Sequence, residues 1–272
     1  MLFFTPIKTK DEFGMNIKVE NLSYGYLKNK KVLNGINFSL EEGDIFSLIG
    51  TNGSGKSTLL KCIAQIIPYT KGRIQYYGKE SRDYSRKELA KIVAYLSQNQ
   101  LQMLNYNVEE FLLTGRAPYI GSFSRPENKD YEIVHEVANK LGLEEILFRN
   151  INSLSGGQRQ KIMFARALVQ ESKIILLDEP MNHLDFKNQL EILKLIKDLS
   201  NTGKTIVMVN HDPNTVLSLG GKVGILNQYG EMLMGDSDQL IHEKNLQNLY
   251  KAPLYLVHVP ELNRKVFAMR KI

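Results

Sequence analysis

The sequence predicts an α/β fold built around a mostly parallel β-sheet. β-rich runs alternate with helical segments along most of the chain, which is the pattern of strands joined by helical crossovers. The glycine-rich segment Gly50-Thr51-Asn52-Gly53-Ser54-Gly55-Lys56-Ser57 lies between an apolar run and a helical stripe. It has the G-x-x-x-x-G-K-S form of a phosphate-binding loop. Four aliphatic residues, Ile174-Ile175-Leu176-Leu177, precede Asp178 and Glu179, as in a strand that is buried on both faces.

The composition fits a folded chain and disfavours several classes of protein. Of the 272 residues 43% are hydrophobic, which is enough for a packed core. The one cysteine, Cys62, excludes an intrachain disulfide and fits a reducing compartment. The apolar runs are strand-sized, and the apolar stretch before Thr5-Pro6 is too short for a signal core, so we expect no membrane-spanning or targeting segment.

The net charge of +6 is spread along the chain. A nucleic-acid-binding protein would have a basic stripe with interleaved aromatic residues, so we expect no nucleic-acid partner. The closest approach to such a stripe is the C-terminal Arg264-Lys265 and Arg270-Lys271. We interpret it as solvated surface, with a contact to lipid headgroups or to a partner as the alternative.

The elements follow in order along the chain. Strands are predicted at Ile17–Tyr26, Val32–Leu40 and Asp44–Ile49, and the third leads into the phosphate-binding loop. The loop is followed by a helix over Ser57–Ile66 with an apolar stripe. Further on, strands and helices alternate: Arg73–Tyr77, helix Arg86–Lys91, Ile92–Leu96, helix Gln158–Val169, Ile174–Asp178, helix Phe186–Leu199, Thr205–Asn210 and Lys222–Asn227.

Between Asn99 and Asn152 the pattern is helical, with the clearest helices over Val108–Thr114 and Asp130–Leu141. We interpret this stretch as a helical subdomain inserted into the α/β core. The segment Leu254–Ile272 has β-like runs around Pro260-Glu261.

The phosphate-binding loop predicts a nucleotide site. Gly50, Gly53 and Gly55 let the backbone curl so that its N–H groups point at phosphate oxygens. The helix that follows adds its positive N-terminal end. Lys56 supplies a cation for the β- and γ-phosphates, and Ser57 supplies a hydroxyl ligand for Mg²⁺.

Asp178 and Glu179 lie where a buried strand ends, at the edge of the sheet where ligands bind in open α/β folds. Two adjacent carboxylates are costly there unless a cation lies beside them. We expect Asp178 to hold Mg²⁺ and Glu179 to take a proton from an attacking water.

Leu154-Ser155-Gly156-Gly157-Gln158 predicts a loop that enters a helix, with Ser155 near the N-cap. Together with the phosphate-binding loop and the acidic strand end, this segment resembles the ATP-binding cassette (ABC) family of transport ATPases. The resemblance covers nearly the whole chain. It implies a P-loop NTPase core of ABC type with an N-terminal antiparallel β subdomain and an inserted helical subdomain. Residues 15–97 and 153–250 would form the core, 98–152 the helical subdomain and 251–272 a C-terminal extension of one ATPase domain.

The resemblance also implies roles for single residues. In this family the L-S-G-G-Q segment of one subunit closes over ATP held by the other. Gln98 corresponds to the glutamine that reaches Mg²⁺ or the attacking water, and His211 to the histidine that contacts the γ-phosphate. Asn182-His183-Leu184-Asp185 resembles the loop along the dimer seam, although Met181 replaces the usual Thr or Ser. The expected nucleotide-binding residues are Tyr26 (with Tyr24 as the alternative ring against adenine), Gly50, Asn52, Gly53, Ser54, Gly55, Lys56, Ser57, Thr58, Ser155, Gly156, Gly157 and Gln158.

A chain with one cassette and no membrane span resembles a stand-alone importer subunit. Leu113-Thr114-Gly115-Arg116-Ala117-Pro118-Tyr119 resembles the G-R-x-P-[HY] segment of the iron-chelate and vitamin B12 group, whose relatives include haem and molybdate importers. The helix after His211-Asp212 is less alanine-rich than is usual in that group, and some molybdate-type members are closer there.

The resemblance therefore implies the ATP-hydrolysing subunit of a bacterial metal-chelate importer. It would use ATP and Mg²⁺ and form a head-to-tail dimer beneath a permease fed by a substrate-binding protein, on the cytoplasmic side of the membrane. A molybdate or other metal-ion importer subunit and a non-transport regulatory ATPase are the alternatives.

Overall fold

The chain is described by a computed structural model that covers residues 15–27, 30–97, 105–121, 124–182 and 184–269. Gln98, expected to act in catalysis and in Mg²⁺ binding, lies outside the described residues, as does His183 of the expected seam loop. Within the part of the chain that is described, no helix is long and apolar enough to span a bilayer.

A six-stranded sheet forms the centre of the fold. Its strands are β3 (Ile45–Gly50), β6 (Val93–Leu96), β7 (Ile174–Leu177), β8 (Thr205–Val209), β9 (Lys222–Leu226) and β10 (Met232–Asp236), in the order β10-β9-β3-β8-β7-β6. β9, β3, β8, β7 and β6 are parallel to one another, and β10 pairs antiparallel with β9. The mostly parallel sheet is confirmed. β10 was not predicted, because this partly exposed edge strand has an apolar run of only three residues, Met232 to Met234.

A second sheet is antiparallel and comes from the first part of the chain. It contains β1 (Met15–Tyr24), β2 (Leu33–Glu41), β4 (Lys71–Tyr76) and β5 (Lys79–Glu80), in the order β2-β1-β4-β5. This is the N-terminal antiparallel β subdomain of the predicted fold class. Buried residues recur at every second or third position along β2, as expected for a strand with one face on a core.

Helices surround both sheets, and a β-hairpin follows the last helix. The helices are α1 (Lys56–Ile63), α2 (Arg86–Ile92), α3 (Val108–Leu113), α4 (Asn128–Lys140), α5 (Gly156–Val169), α6 (Phe186–Asn201), α7 (Pro213–Leu219), α8 (Ser237–Leu240) and α9 (Glu243–Tyr250). The C-terminal hairpin consists of β11 (Leu254–Val259) and β12 (Arg264–Met269). Both predicted helices of the inserted stretch are present as α3 and α4, whereas the boundaries 98–152 and 251–272 stay predictions.

The central sheet has an apolar core on each face. In β7 all four residues are buried, and they alternate between the two cores. Ile175 and Leu177 pack toward the helices α3 to α6, and Ile174 and Leu176 pack toward the antiparallel sheet and α1. This alternation explains why the strand is a continuous aliphatic run. The polar residues that follow the run therefore lie at the edge of the sheet.

Arg116 joins the inserted helices to the rest of the fold. Its side chain is only 3% exposed, and its Nε donates to Oδ1 of Asp130 in α4 at 2.9 Å. Its Nη1 donates to the carbonyl of Val169 at 2.8 Å and to Oε2 of Glu171 at 2.6 Å, both at the end of α5. The guanidinium also lies 4.0 Å from the centre of the Tyr119 ring. The Gly-Arg-x-Pro-Tyr segment thus has a packing role in this chain.

We expect Arg116→Ala to lower the free energy of unfolding by on the order of 3 kcal/mol, because it leaves the largely buried Asp130 without its cationic partner. Chemical denaturation measures the change. The matched control is Arg125→Ala, whose side chain is exposed on the same stretch of chain. Equal stability of the two variants would contradict a linking role for Arg116.

Candidate active site

Three parallel strands end at the same edge of the central sheet and bring the predicted residues together. β3 lies beside β8, with Leu48 opposite Val209, and β7 lies on the other side of β8, with Leu177 opposite Met208. The phosphate-binding loop follows β3, and Asp178 and Glu179 follow β7. His211 lies two residues after the end of β8. Because carboxyl ends of parallel strands share an edge, residues far apart in sequence meet here.

The phosphate-binding loop has a backbone that requires glycine next to the helix. Gly55, the N-cap of α1, has φ of 105°, which L side chains rarely adopt. A Cβ there would also lie 2.8 Å from Cγ1 of Val32. Lys56, the first residue of α1, is 5% exposed, and its Nζ donates to the carbonyls of Gly50 and Thr51 at 2.9 Å each. An ammonium has three N–H donors, so one remains for a phosphate oxygen.

Burial lowers the pKa of Lys56, while the negative charges of Glu179 and Asp178 act in the opposite direction. A phosphate group beside Nζ would compensate the charge that the fold has buried. This electrostatic environment is that of a lysine arranged to receive an anion.

Asp178 is held by two hydroxyl groups. Ser57 Oγ donates to its Oδ1 at 2.8 Å, and the Tyr95 hydroxyl donates to its Oδ2 at 3.0 Å. Burial raises the pKa of Tyr95, and the charge of Asp178 adds to the effect, so the phenol stays protonated and donates. The two hydroxyl groups therefore fix the side chain of Asp178 beside Ser57.

The oxygen atoms of Ser57 and Asp178 fit a magnesium ion by their chemistry. Both are hard oxygen donors, the kind that Mg²⁺ takes in proteins. Among the described residues, no group of three or more His, Cys, Asp or Glu side chains could hold a metal ion. A magnesium ion at Ser57 and Asp178 would thus need the phosphate oxygens of a nucleotide, which is its usual arrangement in such sites.

Glu179 turns away from Asp178 and contacts a different pair of groups. Its φ of 54° is in the left-handed region, which is uncommon for a residue other than glycine. Its Oε1 lies 2.6 Å from Nε2 of His211, and its Oε2 accepts a hydrogen bond from Nδ2 of Asn182. A carboxylate can only accept, so the Nε2 of His211 carries the proton in this contact. Both oxygens of Glu179 are thereby oriented.

A cavity of about 510 Å³ lies over the loop and the start of α1. Such a volume is in the range of small-molecule and cofactor sites. Tyr26 is at its mouth with 60% of its area exposed, and its hydroxyl is 3.3 Å from Oγ1 of Thr58. The cavity is lined by Tyr26, Leu27, Lys30, Val32, Asn52, Gly53, Gly55, Lys56, Ser57, Thr58 and Glu179.

The Leu154–Gln158 segment forms the N-terminus of α5 as predicted. Ser155 is the N-cap, its Oγ accepts from the backbone N–H of Gln158, and the Gln158 side chain accepts from the backbone N–H of Ser155. Ser155 and Gly156 are exposed. Of the described residues that line the 510 Å³ cavity, none comes from 154–158. In this chain, the segment and the phosphate-binding loop are therefore parts of separate surfaces.

The structure brings Lys56, Ser57, Asp178, Glu179 and His211 into one site, while their chemical roles stay predictions. Sequence reasoning missed further contributors, which are Tyr95, Asn182 and the cavity residues Leu27, Lys30 and Val32. Tyr95 lies on a strand that was identified correctly. Its partner, Asp178, could not be known without the order of the strands in the sheet. Asn182 was assigned to a seam between subunits, and here its side chain orients Glu179.

Comparisons with known proteins agree with this geometry. The sequence profile of the ABC transporter family matches residues 33–182, more than half of the chain. A protein of Helicobacter pylori named "probable iron chelatin transport ATP-binding protein" has 36% sequence identity over 88% of this chain and 94% of its own length. A molybdate import ATP-binding protein of Haemophilus influenzae is 33% identical over 88% of this chain and 89% of its own length. A solved structure of an inward-facing transporter, described as of metal-chelate type, has a TM-score of 0.83 and 32% identity, and covers 94% of this chain and 98% of that chain.

We expect Tyr26→Ala to weaken ATP binding by about tenfold or more, because base stacking on an aromatic ring contributes roughly 1–3 kcal/mol. Tyr26→Phe keeps the ring and should retain most of the affinity. Equilibrium dialysis with labelled ATP measures both. Tyr229→Ala removes an equally exposed ring that does not line the cavity and serves as the control. Equal affinities of Tyr26→Ala and Tyr229→Ala would exclude Tyr26 as the adenine contact.

Proposed function

The chain belongs to the ABC transporter family, and we propose on that premise that it is the ATP-hydrolysing subunit of a bacterial importer for a metal chelate. Family membership makes the chain a nucleotide-binding ATPase. The observation that supports ATP hydrolysis is the arrangement of three groups of side chains at the edge of one cavity. They are the buried cation Lys56, the pair Ser57 and Asp178, and the pair Glu179 and His211.

Each group has a distinct task in ATP hydrolysis. Lys56 binds the β- and γ-phosphates with the donor that Gly50 and Thr51 leave available. Ser57 and Asp178 would hold Mg²⁺, which supplies charge neutralisation at the phosphates when bound. Glu179 takes the proton of the water that attacks the γ-phosphate. The hydrogen bonds from His211 and Asn182 hold the two carboxylate oxygens of Glu179 in place for this step.

ATP-binding subunits of ABC importers work as dimers with a separate membrane permease. For this chain we propose a head-to-tail pair of identical copies, in which residues 155–158 of one copy complete the cavity of the other. The exposure of the N-cap Ser155 supports this, because its helix end presents free N–H groups to a phosphate. Gly156 supports it too. A Cβ there would meet no atom of the described residues within 4 Å, so packing against them does not explain the small residue.

The proposed assembly places the chain on the cytoplasmic face of the bacterial inner membrane. The dimer would lie beneath permease subunits that receive cargo from a substrate-binding protein. The permease contact would involve the inserted helices next to Gln98, a residue outside the described part of the chain. Dimer closure on ATP and reopening after hydrolysis would then move the permease.

Relatives rather than the site support the proposed cargo, since the ATPase subunit does not touch it. The relative from Helicobacter pylori is named for iron chelatin transport, and the structural neighbour is described as metal-chelate type. Molybdate is the second candidate, because the relative from Haemophilus influenzae imports it and has similar coverage. A regulatory ATPase without a permease is the remaining alternative, and a permease gene beside this one would argue against it.

We expect Glu179→Gln to lower the ATP turnover number by on the order of 10²-fold or more while ATP affinity is kept, because only the proton acceptor is lost. Steady-state phosphate release and equilibrium binding separate the two quantities. Glu136→Gln, a change to an exposed carboxylate of α4, is the control and should match the unmodified protein. Near-normal turnover in Glu179→Gln would remove this residue from the role of base.

Reconstitution tests the cargo. We expect the complex with its permease and binding protein to hydrolyse ATP faster when the binding protein carries an iron chelate, because loaded binding protein favours dimer closure. The same complex with empty binding protein is the control. Stimulation by molybdate alone would select the second candidate. Stimulation only by a sugar or an amino acid would contradict the metal-chelate assignment and leave the ATPase assignment intact.

A further inference from the structure

A second cavity lies where the C-terminal hairpin packs against the helices. Its volume is about 570 Å³, and it shares no lining residue with the nucleotide cavity. α7 contributes one wall, the segment from α8 to the start of α9 a second, and the hairpin a third. The lining residues are Leu217, Ser218, Asp238, Ile241, His242, Leu256, Arg264 and Lys265. This volume suits a small molecule.

The lining of this cavity combines basic and apolar side chains. Arg264 and Lys265 are exposed, and within the described residues neither side chain has a carboxylate partner. His242 adds a third nitrogen-bearing side chain, and Asp238 is the one acid among the described lining residues. The apolar lining residues are Ile241, which is 2% exposed, Leu217 and Leu256. A ligand that matches both the basic and the apolar residues has an anionic group and an apolar body.

The hairpin that carries the two cations is fastened to α7. The Asn214 side chain of α7 pairs with the backbone of Phe267 in β12 in both directions. Its Oδ1 accepts from the Phe267 N–H at 2.7 Å, and its Nδ2 donates to the Phe267 carbonyl at 3.2 Å. The Phe267 ring packs in an apolar cluster with Val216 of α7 and Leu246 of α9. A displacement of β12 therefore acts directly on α7.

α7 and α9 in turn contact the residue that holds Glu179. Asp212 follows His211 and caps α7 by accepting from the backbone N–H of Asn214 at 2.9 Å. The hydroxyl of Tyr250 in α9 donates to the carbonyl of His211 at 3.2 Å. Burial, together with the charge of Asp212, raises the pKa of Tyr250 to about 12, so the hydroxyl stays protonated and donates. The second cavity is thus connected to His211 along two elements.

We propose that this cavity binds a small organic anion with an apolar body, and that the bound anion slows ATP hydrolysis by restricting α7 and His211. The anion would bridge Arg264 and Lys265 of the hairpin to the walls formed by α7 and by residues 238–242. With these elements joined, His211 keeps its hydrogen bond to Glu179 and moves less readily toward a bound nucleotide. The proposed inhibition rests on the role proposed for His211 in ATP hydrolysis, whereas the proposed binding of the anion does not.

Calorimetry on the full chain tests binding, with the nucleotide cavity filled by ADP so that the probe cannot enter it. The probe is naphthalene-2-carboxylate, and the neutral naphthalene-2-carboxamide and inorganic phosphate are its controls. We expect the carboxylate to bind at least about tenfold more tightly than either control, because a charge-assisted hydrogen bond contributes about 1.5–3 kcal/mol. Equal affinity for carboxylate and carboxamide would overturn the proposal.

A pair of double variants locates the binding. We expect Arg264→Ala with Lys265→Ala to weaken carboxylate binding by about tenfold or more. Lys71→Ala with Lys197→Ala removes the same charge from exposed positions outside the cavity and should bind like the unmodified chain. Equal weakening in both doubles would reduce the effect to net charge and overturn the site. Binding only to vesicles that contain phosphatidylglycerol, with none of the soluble carboxylate, would also overturn it and indicate a lipid surface.

ATP turnover with and without saturating carboxylate tests the inhibition. We expect a several-fold lower kcat in the unmodified chain and in the Lys71 and Lys197 double variant, and a ratio near unity in the Arg264 and Lys265 double variant. Tyr250→Phe removes only the hydroxyl that contacts His211, so it should bind the carboxylate normally and be inhibited less. An unchanged kcat at a carboxylate concentration that calorimetry shows to be saturating would overturn the link to His211. Carboxylate binding is measured with ADP and needs no hydrolysis. A chain that does not bind the carboxylate is therefore distinguished from a chain whose proposed ATPase mechanism is wrong.

Discussion

The hydrogen bond between Glu179 and His211 is the contact on which the arrangement of the site depends. It joins the ends of β7 and β8, and it exists because parallel strands place their carboxyl ends at one edge of the sheet. Glu179 adopts an uncommon positive φ, which turns its side chain away from the neighbouring Asp178. Two adjacent carboxylates thereby have separate partners. One contacts the hydroxyls of Ser57 and Tyr95, and the other contacts His211 and Asn182.

His211 also connects the site to the rest of the chain. Its carbonyl accepts from Tyr250, and α7 begins two residues after it. The C-terminal hairpin is therefore linked to the catalytic edge through short, specific contacts, although it lies outside the span matched by the family profile. The inserted helices have a connection of their own, since Arg116 links them to the end of α5, whose first turn presents Ser155.

The sequence was sufficient for most of the fold because the strong signals are local. The aliphatic run before Asp178 and the glycines before Lys56 each specify their own backbone, and both lie where they were predicted. Pairings between distant residues were not predictable, because they depend on strand order and side-chain direction. Tyr95 on Asp178, Asn182 on Glu179 and Tyr250 on His211 are examples. β10 was missed because this short edge strand has only three consecutive apolar residues.

The central claim is that each nucleotide site is completed by residues of a second copy, and a mixing experiment tests it directly. Ser155→Arg should bind ATP but fail to hydrolyse it, and Lys56→Ala should fail because it cannot hold the phosphates. When the two variants are mixed, hydrolysis should return, since one site of each heterodimer combines an intact Lys56 with an intact Ser155 from the other copy. Differential tags would verify that heterodimers form. A mixture that stays inactive although heterodimers are present would contradict the shared site.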